Sequence, residues 1–236
     1  MKLKVGTRGS KLALAYAERV CSEISHETEI VIIKTDGDLN NNAPIHEIGG
    51  KGVFCTAIEN ELLEENIDIA VHSLKDMPGE EHPDLIIAAM LKRNSPHDVI
   101  VGSVGYGCTI GTSSPRRTAQ LKELYDNLDI KIKPIRGNID TRLEKLDNKE
   151  YDAIVLAEAG LKALDIRRTW IKIPTIPAVG QGIIAIQTRK NDVDTIDIVK
   201  KVNDKKTFAQ AQVERAFLKG MGGNCHTKLA AHATGS

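Results

Sequence analysis

Short polar motifs containing glycine, serine and basic residues recur along this chain where an apolar, strand-like run gives way to a helical pattern. In open α/β sheets, ligands bind at the carboxyl ends of strands, where helix N-termini offer free backbone N–H groups. Arginine and lysine side chains at such positions favour carboxylates or phosphates. We therefore predict a local concentration of positive charge that binds a polyanionic small ligand. The basic side chains assigned to it are Arg8, Lys51, Lys75, Arg116, Arg117, Arg136 and Arg142.

One of these motifs places two arginines at the predicted start of a helix. Ser114 followed by Pro115 is typical of an N-cap and a first helical position. Arg116 and Arg117 then fall in the first turn, where positive charge opposes the helix dipole. We expect this pair to cost stability unless an anion binds beside it. The glycine-rich segment around Lys51, in contrast, lacks the spacing of a P-loop.

Asp76 is the acid among these bases, and Cys225 follows a Gly-Gly-Asn stretch that favours an accessible thiol. Each residue also has an ordinary alternative explanation. Asp76 could merely pair with Lys75, His72 could be a satisfied histidine at a strand end, and Cys225 could be an inert apolar residue. Singly these explanations are favoured, whereas the motifs together favour a binding site. The cysteine and histidines near the end of the chain match no standard metal site, so no metal is predicted.

The composition disfavours several classes of protein. Among 236 residues, 32 Lys plus Arg balance 32 Asp plus Glu, and one Trp, four Tyr and three Phe leave few rings for nucleic-acid binding. The longest apolar run, Leu85 to Leu91, is far shorter than the about 20 residues of a membrane span. Charges at Lys4, Arg8 and Lys11 argue against a signal peptide. The four cysteines form no C-x-x-C pair, so we expect a cytoplasmic protein with reduced thiols.

Strand-like and helical segments alternate along most of the chain, which predicts mostly parallel sheets flanked by helices. Two polar, proline-containing connections, at 92–97 and 176–182, interrupt this alternation. Two such crossings indicate an α/β fold of two hinged lobes with a cleft between them. We expect one lobe to comprise residues 1–94 plus 180–203, and the inserted lobe to comprise residues 97–177.

Seven segments, taken in order, resemble the sequence of a known enzyme family. They are GTRGSKLAL (6–14), GGKGVF (49–54), DIAVHSLKDMP (68–78), GTSSPRR (111–117), RGNIDTRLEKLD (136–147), YDAIVLAEAGLK (151–162) and PAVGQG (177–182). The family is porphobilinogen deaminase, also called hydroxymethylbilane synthase. GGNC at 222–225 stands where that family carries its cofactor cysteine.

The resemblance implies a transferase of haem and tetrapyrrole biosynthesis. The family joins four porphobilinogen molecules head to tail, releases one ammonia at each step, and frees hydroxymethylbilane by hydrolysis. The polypyrrole grows on a dipyrromethane cofactor that a thioether links to a cysteine, which by motif position is Cys225 here. The implied fold is two hinged lobes similar to type II periplasmic binding proteins. We expect a monomer that binds porphobilinogen and the growing polypyrrole, and neither nucleic acid nor membrane.

The resemblance also assigns roles to individual residues. Asp76 takes the catalytic role, because a carboxylate near the pyrrole N–H groups stabilises the cations that form when ammonia leaves and when two rings couple. The segment 39–50 corresponds to the family's mobile active-site loop. The residues that match positions around substrate and cofactor are Arg8, Ser10, Lys51, Ser73, Lys75, Thr112, Ser113, Ser114, Arg116, Arg117, Arg136, Asn138 and Arg142.

This sequence departs from the family pattern at two places. The family continues into a third α/β lobe, whereas residues 204–236 correspond to a remnant of that lobe which carries Cys225. Ala163 stands where the family typically has an arginine, so one interaction with a ligand carboxylate is expected to be missing unless Arg167 or Arg168 provides it. Two alternatives stay open: a solute-binding protein without catalysis, and a degenerate member that only binds polycarboxylate pyrroles.

Overall fold

The computed structural model describes residues 2–35, 55–222 and 227–235. The strands in these residues are β1 (Leu3–Arg8), β2 (Thr28–Ile33), β3 (Ile69–Ser73), β4 (Leu85–Met90), β5 (Asp98–Gly102), β6 (Thr109–Gly111), β7 (Lys131–Lys133), β8 (Ala153–Ala157), β9 (Ile171–Lys172) and β10 (Ile184–Arg189). The α-helices are α1 (Lys11–Glu23), α2 (Thr56–Leu63), α3 (Pro115–Leu124), α4 (Ile139–Asp147), α5 (Glu158–Ala163), α6 (Val193–Lys200) and α7 (Lys205–Gly220).

The described strands form two five-stranded sheets, which confirms the α/β fold class. The first sheet has the order β2-β1-β3-β10-β4, and the second has the order β7-β6-β8-β5-β9. Every strand of the first sheet falls in residues 3–90 or 184–189, and every strand of the second falls in 98–172. These strands lie inside the ranges predicted for the two lobes, while the exact lobe boundaries stay a prediction.

The expectation of mostly parallel sheets is wrong, because half of the strand pairings are antiparallel. In the first sheet β1 runs parallel to β2 and β3, but β10 runs antiparallel to both β3 and β4. In the second sheet β6 runs parallel to β7 and β8, but β5 runs antiparallel to β8 and β9. The alternation of strands and helices reports sequence neighbours, whereas β10 enters the first sheet between strands that are far from it in sequence.

Helix α1 covers one face of the first sheet and positions the first polar motif. Ser10 caps this helix by accepting a hydrogen bond from the Ala13 N–H at 3.3 Å. Tyr16, Ala17 and Val20 form its buried face and pack with apolar residues of β1 and β3. This packing fixes the end of β1, and therefore the Arg8–Ser10 turn, relative to the rest of the sheet.

The second sheet presents its polar motif in the same way, at the strand-to-helix turn that leads into α3. Ser114 is the N-cap, as predicted, since its Oγ accepts a hydrogen bond from the Arg117 N–H at 3.3 Å with Pro115 in the first helical position. Leu121 anchors the helix in the core formed by Ile110 and Val155. The carboxyl end of β6 and the N-terminus of α3 therefore form one rigid corner.

The residues just before helix α7, the helix itself and the segment after it contact β4 and the two connections between the sheets. The Met90 N–H donates to Asn203 Oδ1 at 2.9 Å, and the Arg93 N–H donates to Thr207 Oγ1 at 2.9 Å. Further along, the Ala231 N–H donates to the Pro177 carbonyl at 3.3 Å. None of the helices in the described ranges is long and apolar enough to cross a membrane.

Candidate active site

A cleft brings together side chains from both sheets, the second connection and the end of the chain. It contains about 170 Å³ of free space, a volume comparable to cavities that hold a small aromatic ring. Its lining includes Lys75 and Asp76 from the turn after β3, Ser114, Arg116 and Arg117 from the start of α3, Gln181 from the connection, and Arg215, Leu218 and Thr227 from α7 and the final segment. Residues that are far apart in the sequence thus face one space.

Lys75 and Asp76 lie in a 3-10 turn at Leu74–Asp76, which the buried Leu74 side chain anchors in the core. Their side chains make no hydrogen bond and no ion pair with other described residues. Burial lowers the pKa of Lys75, and the nearby positive charges of Arg117 and Arg116 lower it further, while Asp76 opposes the shift. An uncommitted carboxylate beside cations can accept N–H groups from a ligand or stabilise a cation that forms there.

A smaller cavity adjoins the cleft on the side of the first sheet. Arg8, Ser10, Tyr16, Ser73 and Asp76 contribute to its lining, and it contains about 60 Å³. Asp76 lines both this cavity and the larger cleft. Arg8, Ser10 and Ser73, three of the predicted residues, therefore line one cavity with the Asp76 carboxylate.

Arg116 and Arg117 are held by a buried acid that the sequence analysis missed. Asp98 Oδ2 accepts from Arg116 Nη1 at 2.7 Å, and Asp98 Oδ1 accepts from Arg117 Nε at 3.0 Å and Nη2 at 2.7 Å. Thr175 Oγ1 and Gln181 Nε2 donate to the same carboxylate at 3.1 and 2.9 Å. The positive charges and hydrogen bonds of the two arginines hold the Asp98 pKa far below its ordinary value despite burial.

The expectation that an external anion must offset the arginine pair is therefore wrong, because Asp98 supplies that anion from within the fold. The pair nevertheless keeps donors for a ligand. Arg116 uses Nη1 for Asp98 and for the Ile176 carbonyl at 2.6 Å, whereas its Nε and Nη2 make no hydrogen bond with the described residues. Since Arg116 lines the cleft, this unused edge can bind a carboxylate bidentately.

The three hydroxyl side chains before α3 differ in whether the hydroxyl proton is already used in a hydrogen bond within the protein. Ser113 Oγ donates to the Ile135 carbonyl at 2.7 Å and accepts from the Ile135 N–H at 3.0 Å. Its single proton is thus committed to joining two loops. Thr112 Oγ1 accepts from the Ser114 N–H at 3.2 Å, and Ser114 Oγ accepts from the Arg117 N–H at the helix cap. Neither hydroxyl donates its proton to another described residue, and Ser114 lines the cleft.

Arg136, Asn138 and Arg142 surround the N-terminus of α4. Asn138 is the N-cap residue, and Arg142 Nε donates to the Gly137 carbonyl at 2.7 Å. Burial lowers the pKa of Arg142 to about 10, and the positive charge of Arg117 contributes to the shift. Arg142 therefore lies in the same electrostatic neighbourhood as the cleft.

Other predicted site residues fall outside the described part of the chain. They are Lys51, the loop 39–50 and Cys225. Thr227 follows Cys225 by two positions and lines the cleft. Among the residues that are described, no group of three or more His, Cys, Asp or Glu side chains could hold a metal ion.

Arg167 and Arg168, the two residues named as replacements for an arginine at position 163, both pair with nearby acids, and the missing interaction with a ligand carboxylate stays a prediction. Arg168 donates to both carboxylate oxygens of Asp147 at 2.6 Å each, and Arg167 pairs with Asp165 at 3.4 Å. Both arginines are thus engaged in surface ion pairs.

His72 is a structural residue, as the ordinary alternative held. Its Nε2 lies 3.0 Å from Gln187 Oε1, and Gln187 Nε2 donates to Glu59 Oε1 at 2.9 Å. Because the Gln187 amide donates to Glu59, its oxygen faces His72, and Nε2 must carry the proton. Burial lowers the His72 pKa to about 4, which keeps the ring neutral near pH 7.

A second ion pair missed by the sequence analysis ties the connections to α7. Arg93 Nη1 and Nη2 donate to Glu214 Oε1 and Oε2 at 2.6 and 3.2 Å, and Arg93 Nε donates to the Gln181 carbonyl at 3.1 Å. Glu214 also accepts from the Gly180 N–H at 2.7 Å and from the Ala233 N–H at 2.9 Å. Single acids and bases in helices or loops gave no spacing signal that could have revealed these pairs.

Comparison with known proteins agrees with the residues gathered here. Residues 3–197 match the family described as "Porphobilinogen deaminase, dipyromethane cofactor binding domain". A probable porphobilinogen deaminase of Hyperthermus butylicus is 45% identical over 99% of this chain and 82% of that protein. The porphobilinogen deaminase of Ehrlichia canis is 43% identical over 99% of this chain and 83% of its own length. A solved substrate-binding domain of a putative amino acid ABC transporter from Streptococcus pneumoniae is 14% identical over 94% of this chain and 95% of that chain, with a TM-score of 0.49. The match over most of the chain and the identity to these relatives show that the chain belongs to the porphobilinogen deaminase family.

Proposed function

We propose that this chain is a tetrapyrrole-biosynthetic transferase that joins porphobilinogen molecules head to tail, with loss of ammonia, into hydroxymethylbilane. The observation that carries the proposal is the single cleft that Asp76, Lys75, Arg116 and Thr227 line together. The family membership supports the same reaction. We expect the enzyme to act as a cytoplasmic monomer.

The charge of the cleft suits the substrate. Each pyrrole ring carries an acetate and a propionate, so each elongation step adds two negative charges to a molecule held inside the protein. The unused edge of Arg116, the hydroxyl of Ser114 and the ammonium of Lys75 supply donors for these carboxylates. Because Asp98 already fixes the arginine side chains, little conformational entropy is lost when a ligand binds them.

Asp76 is the group that we assign to the chemistry. When the substrate loses ammonia, the carbon–nitrogen bond breaks, the electron pair leaves with nitrogen, and the pyrrole becomes a cation. The Asp76 carboxylate makes no competing hydrogen bond or ion pair with described residues, so it is available to stabilise this cation and the N–H groups that share its charge. The same carboxylate can help to carry away the ring proton that is lost on coupling.

The donors of the cleft also fit the dipyrromethane group that the family match names. Such a group carries four carboxylates, and the cleft combines unused arginine N–H groups with a hydroxyl and an ammonium group. We propose that Cys225 forms the thioether and that Arg116, Arg117, Ser114 and Lys75 hold the carboxylates. When bound, the group supplies the pyrrole carbon that attacks the activated substrate.

Intact-mass analysis with turnover measurements tests the proposal. We expect purified wild-type protein to carry a dipyrromethane adduct that is absent from Cys225→Ser, and to release ammonia when porphobilinogen is added. A matched Cys108→Ser variant should keep the adduct, since Cys108 lies in the core of the second sheet. Repeated preparations of bare polypeptide, or porphobilinogen binding without ammonia release, would contradict the proposal and favour the binding-only alternative.

A further inference from the structure

Tyr16 is a buried residue of α1 whose hydroxyl group has no partner among the described residues. The residue is 7% exposed, and its ring packs in the core between α1 and the first sheet. The hydroxyl is also not among the fully enclosed polar atoms without partners in the described ranges, which are Thr188 Oγ1 and Thr195 Oγ1. The Tyr16 hydroxyl therefore reaches open space, and the space that Tyr16 lines is the smaller cavity beside Asp76.

A buried tyrosine hydroxyl normally has a hydrogen-bond partner, because leaving it unpaired costs free energy. Burial and the nearby Asp76 carboxylate raise the pKa of Tyr16 to about 12, so the hydroxyl keeps its proton and acts as a donor. Asp76 is close enough to affect this pKa but accepts no hydrogen bond from Tyr16. The described residues offer no acceptor for this proton, so the acceptor enters the cavity from outside, as water or as an atom of a ligand that displaces it.

The other groups of the cavity indicate the chemistry of that ligand. Arg8 contributes a positive charge, Ser10 and Ser73 contribute hydroxyls, and Asp76 contributes a negative charge. A ligand with both a carboxylate and N–H groups satisfies the two charged ends at once. The cavity contains about 60 Å³, space for a few water molecules, which suits one substituent of a pyrrole rather than a polypyrrole chain.

We propose that Tyr16 is a substrate-binding residue whose hydroxyl donates a hydrogen bond to a carboxylate oxygen of the incoming pyrrole monomer, between Arg8 and Asp76. This inference rests on the proposed function and names the subsite of that function for the monomer. Hydrogen bonds to charged groups are among the stronger ones in proteins, so their loss weakens binding measurably.

The test compares Tyr16→Phe with wild type and with Tyr106→Phe, a control at a residue that is 80% exposed. We expect Tyr16→Phe to raise the KM for porphobilinogen and its equilibrium Kd about tenfold, with kcat changed less than about threefold. Its Tm should stay unchanged or rise, because the hydroxyl has no partner among the described residues to lose. Tyr106→Phe should match wild type in all these measurements.

Each result either supports or contradicts the substrate-binding role of Tyr16. A KM and Kd within about twofold of wild type would overturn the inference while leaving the proposed function intact. A fall in Tm of several degrees would also overturn it, since the hydroxyl would then support the fold. If wild type binds porphobilinogen without turnover, the proposed function fails but the tenfold difference in Kd still supports Tyr16. If wild type does not bind porphobilinogen at all, both fail.

Discussion

On the second-sheet side of the cleft Arg116 and Arg117 share one buried carboxylate, whereas on the first-sheet side Lys75 and Asp76 make no hydrogen bond or ion pair with the described residues. Asp98 offsets one of the two arginine charges and fixes both arginine side chains before any ligand arrives. The side chains of Lys75 and Asp76 remain available to interact with a ligand.

This difference suits one side of the cleft to binding and the other to chemistry. Fixed donors bind a polycarboxylate without having to be ordered first, which favours the arginines for binding. An uncommitted carboxylate can respond to a charge that appears during the reaction, which favours Asp76 for chemistry. Substitutions on the second-sheet side should therefore affect stability first, and substitutions on the first-sheet side should affect turnover first.

The largest effect is expected for Asp76→Asn, which keeps the shape of the side chain and removes its charge. Turnover of porphobilinogen should fall by about 10²–10⁴-fold, because the cation loses its stabilising carboxylate. The Tm should change by less than about 2 °C, since the carboxylate has no ion pair with the described residues to lose. Steady-state kinetics and thermal unfolding measure the two quantities. Turnover within about tenfold of wild type would remove Asp76 from the mechanism.

Asp98→Asn should show the opposite pattern on the other side. Removing the shared carboxylate leaves two buried arginine charges uncompensated, and breaking a buried pair typically costs about 3–5 kcal/mol. Denaturant unfolding measures this loss. The matched control is Asp165→Asn, which breaks an exposed pair with Arg167 and should change the free energy of unfolding very little. Equal stability of the two variants would refute the structural role of Asp98.

Stability measured as a function of pH tests whether His72, on the first-sheet side of the cleft, is buried in its neutral form. The His72 pKa is about 4 in the fold, below the ordinary value of 6.5, so protonation favours the unfolded state. Its contribution to stability is complete above pH 6.5 and declines by about 1.4 kcal/mol per pH unit between pH 6.5 and 4. Replacing His72 by Gln should remove this decline, which amounts to roughly 3 kcal/mol over the whole range.

The control for that titration is the exposed His97, which makes no side-chain hydrogen bond with the described residues. His97→Gln makes the same exchange at an exposed position and controls for the exchange itself. If His72→Gln follows the wild-type curve of unfolding free energy against pH, His72 is not buried in its neutral form, and the first-sheet side lacks that rigid support.

Some structural features of the cleft could be predicted from the sequence, and others could not. The Ser114 cap, the helix after it and the two-sheet fold could be predicted because each depends on local spacing. The shared partner of the arginines could not, because Asp98 is a single acid before an apolar run and meets them only when β5 and α3 pack together. Tyr16 was missed for a related reason, since an aromatic residue on an apolar helix face is normally core.

The strand order escaped prediction on the same physical grounds. The insertion of β10 between β3 and β4 depends on where the chain returns after the second sheet, and no local pattern encodes that return. Identifying the family supplied site residues that spacing alone could not, but it did not reveal that Ser113 donates its proton to the backbone of Ile135.

The smallest effect is expected where the two sides touch at the surface. Lys11 Nζ of α1 lies 3.0 Å from Asp140 Oδ2 of α4, and the two side chains are 74% and 47% exposed. The hydrogen bond from Lys11 lowers the Asp140 pKa, but solvent and salt screen an exposed pair strongly. A double-mutant cycle with Lys11→Met and Asp140→Asn should therefore give a coupling energy below about 1 kcal/mol at low salt, falling further in about 1 M NaCl. A coupling above about 2 kcal/mol that persists in salt would mean that this pair holds the two sides together. The difference between the two sides would then depend on this contact as well as on Asp98.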